Sequence, residues 1–219
     1  MNRTTLWYVP LMVLLSPKCE LFEDQQIRTA RVIEIRLDQS GSYRLTLDEA
    51  KTAALALVDN SRSDDVLRIG AINDRSFSSP TKMFTIPRSR AFDKKSRERQ
   101  DAVKEEIKKY ISTIVDEKSN RTDLWGMLSS ASLFFKKFPD REKHLVIFSD
   151  MVDTEGLAQG DIDLEHVSVD VMCFPKPRSI AKYKQRIGFW KEALDNSGAK
   201  SFEVYGSDET QLTINKTIQ

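Results

Sequence analysis

The sequence predicts an α/β fold, a doubly wound and mostly parallel sheet flanked by helices. Three observations carry this. Strand-like runs alternate with longer stretches whose apolar residues fall three and four apart. One run, Leu145-Val146-Ile147-Phe148, is continuously apolar, as suits a central parallel strand covered on both faces. The 219 residues give room for one sizeable domain, and two independent cores would be cramped.

The elements follow in chain order. Arg31 to Asp38 reads as a strand that runs into a short acidic loop. Leu45 to Val58 carries Leu47, Ala50, Ala54, Leu57 and Val58 at helical spacing. Val66 to Ile72 is a second strand and Met83 to Ile86 a short third one, closed by Pro87. Arg88 to Lys109 is dense in charge of both signs, and Val103, Ile107, Tyr110, Ile111 and Ile114 share one helical face within and beyond it. A loop followed by a solvated helix is the reading. Asp123 to Phe138 is another helix, ended by Pro139. After the Leu145–Phe148 strand, Val167 to Phe174 is a further one. Ile180, Tyr183, Ile187, Trp190 and Leu194 form the cleanest helical stripe, and Gly198 stands where a C-terminal cap belongs. Ser201 to Tyr205 supplies the last strand, and the tail beyond Gly206 is polar. No internal repeat or low-complexity tract is present.

Bulk properties exclude several classes. A net charge of +1 gives no reason to expect a nucleic-acid partner. The basic residues between Arg88 and Arg99 are interleaved with Asp93 and Glu98 and lack aromatic company for base stacking. Cys19 and Cys173 make neither a disulfide framework nor a zinc spacing, and Cys173 reads as a buried free thiol. His144 and His166 have no ligand companions at metal spacing. At the N-terminus, Arg3 precedes an apolar run from Leu6 to Leu15, the length of a signal-peptide core and too short to span a bilayer. Residues 1–19 are therefore expected to be a signal-like or hydrophobic segment, with 20–219 one domain, exported and periplasmic or membrane-associated. Cytoplasmic packing of the segment on the domain is the other reading. Cys19 invites lipid attachment, although Lys18 before it is the wrong neighbour.

The chemistry gathers at Asp38-Gln39-Ser40-Gly41-Ser42, an acidic-hydroxyl loop between a strand and a helix. Thr122 precedes another helix, and Asp150 ends the apolar strand. In a doubly wound sheet, loops at the carboxyl ends of strands meet at one edge. Two carboxylates and three hydroxyls there offer oxygen donors, the preference of Mg²⁺ or Mn²⁺. For the first loop alone, the competing reading is a helix N-cap. Asp123 reads as a helix-capping acid, and Asp153 and Glu155 as solvated loop acids. Trp125 and Trp190 read as core residues.

Asp38-x-Ser40-x-Ser42, Thr122 and Asp150, in this order on this pattern of elements, resemble the von Willebrand factor A (vWA) family and its metal-ion-dependent adhesion site (MIDAS). The resemblance spans about Arg31 to Tyr205. It implies that Ser40 and Ser42 coordinate Mg²⁺ or Mn²⁺ directly, and that Thr122 binds directly or through water. Asp38 and Asp150 would lie close, often through water, and an open position would capture a carboxylate from a protein partner. It implies a binding module and no enzyme. The chain departs from the family pattern at Met151 and Arg121, where glycines are usual, and at Glu34 and Arg36, which stand in a strand expected to be apolar. These two either pair with each other or face a polar surface. Two alternatives stay open: a Mg²⁺-dependent phosphoryl-transfer or hydrolytic enzyme with an Asp nucleophile, and an interaction protein of the same fold with a vestigial metal site. The chain has no Walker A loop and no G-x-S-x-G elbow.

Overall fold

Arg31–Asp38 forms the central strand β1, and all eight of its residues are buried. A computed structural model describes residues 29–89, 93–115, 121–156, 161–176 and 179–217. The N-terminal apolar run, Trp7 and Cys19 lie outside the described residues. A 3-10 turn at Arg44–Thr46 leads into helix α1, Leu47–Asp59. Then come β2 (Val66–Ile72), β3 (Thr81–Thr85), α2 (Lys94–Thr113) and α3 (Leu124–Phe135). They are followed by β4 (Glu142–Phe148), β5 (Val167–Phe174), α4 (Ile180–Asn196), β6 (Ser201–Gly206) and α5 (Ser207–Thr217).

The six strands order as β3-β2-β1-β4-β5-β6. All neighbouring pairs are parallel except β2 with β3, which is antiparallel. From β1 the chain moves outward through β2 to β3, then returns to β4 on the other side of β1. The order therefore reverses between β1 and β4, where open α/β sheets form their ligand crevice. Side chains alternate across the sheet. Ile33, Ile35 and Leu37 pack with α1, α2 and Ile214 of α5. Val32, Leu145, Ile147 and Val169 pack on the opposite face with α3, Trp190 and Leu194. Gly198 takes φ +80 past α4, the left-handed C-terminal cap its position predicts.

Glu34 and Arg36 pair with each other. Arg36 Nε donates to Glu34 Oε1 at 2.6 Å, with both side chains fully buried. Arg68, beside Glu34 on β2, adds a second guanidinium, its Nη2 lying 2.5 and 2.6 Å from the two carboxylate oxygens. Helix α3 covers the cluster through Ser130, whose hydroxyl accepts from Arg36 and whose carbonyl accepts from Arg68. The Phe134 ring lies 4.2 Å from the Arg68 guanidinium carbon. Gly70 makes this possible, because a Cβ there would come within 2.9 Å of Arg36 Nη1. One acid thus holds two bases in the sheet interior. Removing it would strand two buried charges, a loss that typically costs about 3–5 kcal/mol. Glu34→Ala is expected to lower unfolding stability by that amount in urea titration, with a matching fall in Tm.

Asp170 of β5 presents the opposite case. It is 5% exposed and stands in register with Glu203 of β6. Burial, and then the Glu203 charge, push its carboxyl up to about 6. A raised carboxyl pKa favours the folded state below the unfolded value near 3.8, and that advantage is lost as pH rises through 6. Ionised Asp170 should cost about 2–3 kcal/mol at pH 7 and above, at about 1.4 kcal/mol per pKa unit. Asp170→Asn is expected to melt higher than the wild type above pH 6. The gain should shrink between pH 6 and 4 and vanish below, as read by thermal scans across that range.

Candidate metal centre

Asp38 is the last residue of β1 and is completely buried. Its Oδ1 accepts from the Ser40 backbone N–H at 2.8 Å, and its Oδ2 accepts from the Ser149 hydroxyl at 2.6 Å. Burial raises its pKa, the two hydrogen-bonding serines oppose the rise, and the Asp150 charge adds to it. The carboxylate is thus oriented by neutral donors and lies within the field of a second carboxylate.

The next two ligand candidates meet each other. Ser40 Oγ and Ser42 Oγ are 3.1 Å apart. Adjacent oxygens on a Mg²⁺ octahedron, with bonds of 2.0–2.1 Å, stand about 3.0 Å apart. Neither hydroxyl caps a helix: the N-cap positions of the 3-10 turn and of α1 are Tyr43 and Thr46, and neither has a side-chain cap. The N-cap reading of this loop therefore fails. Tyr43, fully buried, anchors the loop by donating its hydroxyl to the Cys173 carbonyl at 3.1 Å. Cys173 is a buried free thiol, pushed up to about 11 chiefly by burial.

Asp150 is 8% exposed and follows β4, the neighbour of β1. Its Oδ1 accepts from the Val152 N–H at 3.1 Å, and its carbonyl accepts from Arg186 of α4 at 2.7 Å. Met151, where the resemblance expects glycine, adopts φ +57, a left-handed conformation that costs a side-chain-bearing residue roughly 1–2 kcal/mol. Three contacts hold it there. Its side chain is buried, its N–H donates to Ser149 Oγ, and its carbonyl accepts from Trp190 Nε1 at 2.9 Å.

Thr122 is buried and reaches this edge through its backbone. Its N–H donates to Thr154 Oγ1 at 2.7 Å, and its carbonyl accepts from the Thr154 N–H at 3.0 Å. Asp123 N–H donates to the Asn73 carbonyl beyond β2, while Gln39 N–H donates to the Ile72 carbonyl. Loops after β1, β2 and β4 and the segment before α3 are therefore laced into one edge. Direct contacts link Asp38, Ser40 and Ser42, and Asp150 joins them through its charge; Thr122 is tied through its backbone to Thr154 of the β4 loop and makes no such link to the four.

Asp123 caps α3 as predicted, accepting from the Gly126 N–H at 2.6 Å. Asp153 differs from the solvated acid expected. It is half-buried and accepts from Leu124 N–H at 2.8 Å and Gly156 N–H at 2.6 Å, so a second carboxylate serves the start of α3. Two features escaped the sequence reading. Ser149 locks Asp38, and its only signal is its place directly before Asp150. A groove of about 680 Å³ opens beside Ser42 and Asp150, with Lys176, Lys182 and Arg186 on its walls. Trp125, expected in the core, is instead half-buried between α3 and α4 and lines a surface groove there.

The donor set fits a hard divalent cation: two carboxylates and hydroxyl oxygens, with Ser42 exposed at the mouth. Among the described residues, no three His, Cys, Asp or Glu side chains cluster as metal ligands. A site of this make-up would rest on hydroxyls and water beside its two acids.

No protein-family model matches the sequence, and no curated protein is significantly similar to it. Solved structures do match. A von Willebrand factor type A protein from Catenulispora acidiphila superposes with a TM-score of 0.55 over 87% of this chain at 14% identity. The fold is that of a vWA domain. Proximal thread matrix protein 1 from the mussel byssus, with a zinc-occupied MIDAS motif, matches at 0.52 over 87% of the chain with 11% identity. The pilus adhesin SpaC from Lactobacillus rhamnosus GG, in its open conformation, matches at 0.54 over 89% with 10% identity. The chain spans 42%, 45% and 30% of these three proteins, respectively. At such identities the vWA likeness extends to the fold.

The buried Asp38 carboxylate beside Asp150 is a cost to the metal-free protein. Asp38→Asn keeps an acceptor for Ser40 N–H and can still bond Ser149, but carries no charge. In chelator this variant is expected to melt above the wild type in differential scanning calorimetry.

Proposed function

We propose that the chain is a metal-dependent protein-binding module of adhesion or scaffold type. Its divalent cation, Mg²⁺ or Mn²⁺, would be held by Asp38, Ser40, Ser42, Thr122 and Asp150 and would capture a carboxylate from a protein partner. The observation that carries this is the pair of serine hydroxyls at 3.1 Å, beside a buried carboxylate fixed by Ser40 and Ser149. Ser40 and Ser42 supply neutral oxygens, so the bound ion retains net charge for an incoming anion. Asp38 and Asp150 supply the negative field. Both oxygens of the fully buried Asp38 already accept hydrogen bonds, which suits orienting metal-bound water. Of the three neighbours, the mussel protein has zinc in its MIDAS motif and SpaC is a pilus adhesin, which supports the same reading. Export, with residues 1–19 as the targeting segment, belongs to this proposal.

A phosphoryl-transfer enzyme is the second reading, favoured by the cations at Lys176, Lys182 and Arg186. It needs an accessible Asp nucleophile. Asp38 is fully buried with both oxygens engaged, so the binding reading is the stronger.

Calorimetric titration of Mg²⁺ and Mn²⁺ into the protein is expected to show one saturable site, lost in Asp38→Ala. At about 100 times Kd the ion should add about 2.7 kcal/mol of stability to the wild type. It should add none to the alanine variant. Absence of binding by the wild type would refute the metal reading, and Mg²⁺-dependent turnover of p-nitrophenyl phosphate lost in Asp38→Ala would establish the enzyme instead.

A further inference from the structure

The groove beside the candidate metal centre is built mainly by the β5–α4 side of the molecule. Ser42 and Asp150 form its inner end. Lys182 and Arg186 stand four residues apart on α4, so they share one face of that helix, about 5–6 Å apart at Cβ. Lys176 adds a third cation from the segment after β5, and Asp150 is the one acid among the described residues that line the groove. Arg186 is held at the inner end by its 2.7 Å bond to the Asp150 carbonyl. The floor is apolar as well as charged. Tyr183 stacks edge-on against Phe174 at 5.2 Å, and Leu45, 98% exposed, also lines the groove.

We propose that this groove is a docking channel for an extended acidic segment of a protein partner. The inference rests on the metal-binding reading for its inner end only. Alternate side chains of an extended strand project from one face about 6.6–6.8 Å apart, close to the Lys182–Arg186 spacing. One carboxylate would enter at the metal centre, and acids two and four residues along would meet Arg186 and Lys182. An apolar side chain of the same segment would cover Leu45. The recognised pattern is thus acidic-x-acidic-x-acidic with an apolar neighbour. Charge complementarity sets the occupant: three cations converge where, among the described lining residues, the only acid belongs to the metal centre.

Fluorescence anisotropy with the full chain tests this, using two labelled ten-residue peptides, one with Glu at alternate positions and one with Gln in their place. Both carry one Leu. The Glu peptide is expected to bind in Mg²⁺, the Gln peptide not to, and the affinity to fall at least tenfold in Lys182→Glu and in Lys176→Glu. Mg²⁺ calorimetry on both variants should still show the single saturable site, which separates groove from metal. If wild-type calorimetry shows no metal while peptide binding is still lost in Lys182→Glu, the metal reading fails and the groove stands. Glu-peptide binding indifferent to both lysine variants would overturn the proposal. So would no binding of the Glu peptide by the wild type, or tighter binding of a ten-residue oligothymidylate, which would assign the cations to phosphate.

Discussion

The structure turns on one constraint: its central strand is wholly buried, yet one face of it carries Glu34, Arg36 and Asp38. Such residues alternate along the strand and cannot reach solvent, so each needs a partner inside. Glu34 meets its requirement with two guanidiniums, Arg36 and Arg68. Both bases are thereby committed to Glu34, Arg36 from the position next to Asp38 on this face of β1 and Arg68 from β2 beside Glu34. The last carboxylate is left to neutral donors, Ser40 and Ser149. The same arrangement fixes α3, because Ser130 and Phe134 close over the guanidiniums. Helix α3 is also the helix that Thr122 leads into. The ion cluster in the middle of the sheet and the oxygen-rich edge at its end are therefore joined by one strand and one helix.

Topology converts that strand end into a crevice. The order of the strands reverses beside β1, so the loops after β1 and β4 diverge to opposite faces and leave a gap between them. Backbone hydrogen bonds from Gln39 to Ile72, from Asp123 to Asn73 and between Thr122 and Thr154 tie these loops together. Asp153 adds a tie of its own, reaching from the β4 loop to the first turn of α3. Met151 shows how firmly the loop is held. A left-handed backbone at a methionine persists only where its surroundings over-determine it, here through Ser149, Trp190 and complete burial of the side chain.

Much of this was legible in the sequence, for definite reasons. The bounds of β2 and β5 were read to the residue, because dense apolar runs flanked by polar turns leave little choice. The Asp38 loop, Thr122 and Asp150 were readable as a set because each follows or precedes a recognisable element. The antiparallel pairing of β3 was not legible, since strand direction is decided by the path of the chain and not by local pattern. Helix α5 was missed for a different reason. Ser207 to Thr217 is polar, and it docks through Thr210, whose hydroxyl accepts from the Cys173 N–H at the irregularity between β5 and β6, and through Ile214 in the core. The basic groove was hidden for a third reason. Lys176, Lys182 and Arg186 sit in a chain rich in lysine and arginine, and only folding brings them against Ser42 and Asp150.

That adjacency gives the two proposed features a common electrostatic logic. Without a cation, the inner end of a channel carrying three positive charges holds the Asp150 carboxylate, with the Asp38 carboxyl buried behind it. An acidic segment would then be attracted along the channel and repelled at its end. A divalent ion held as proposed, on the serine hydroxyls, would offset the field of the two acids and turn the end of the channel into an anion acceptor. Coulombic attraction between partly buried unit charges 4 Å apart is about 4 kcal/mol at an effective dielectric of 20, so reversing its sign decides whether a ligand seats. Arg186 stands where this change is felt first, its guanidinium resting on the Asp150 carbonyl. The ion would thus supply more than one coordination bond: it would make the whole channel a single positive surface, selective for a partner whose acids are spaced to follow it.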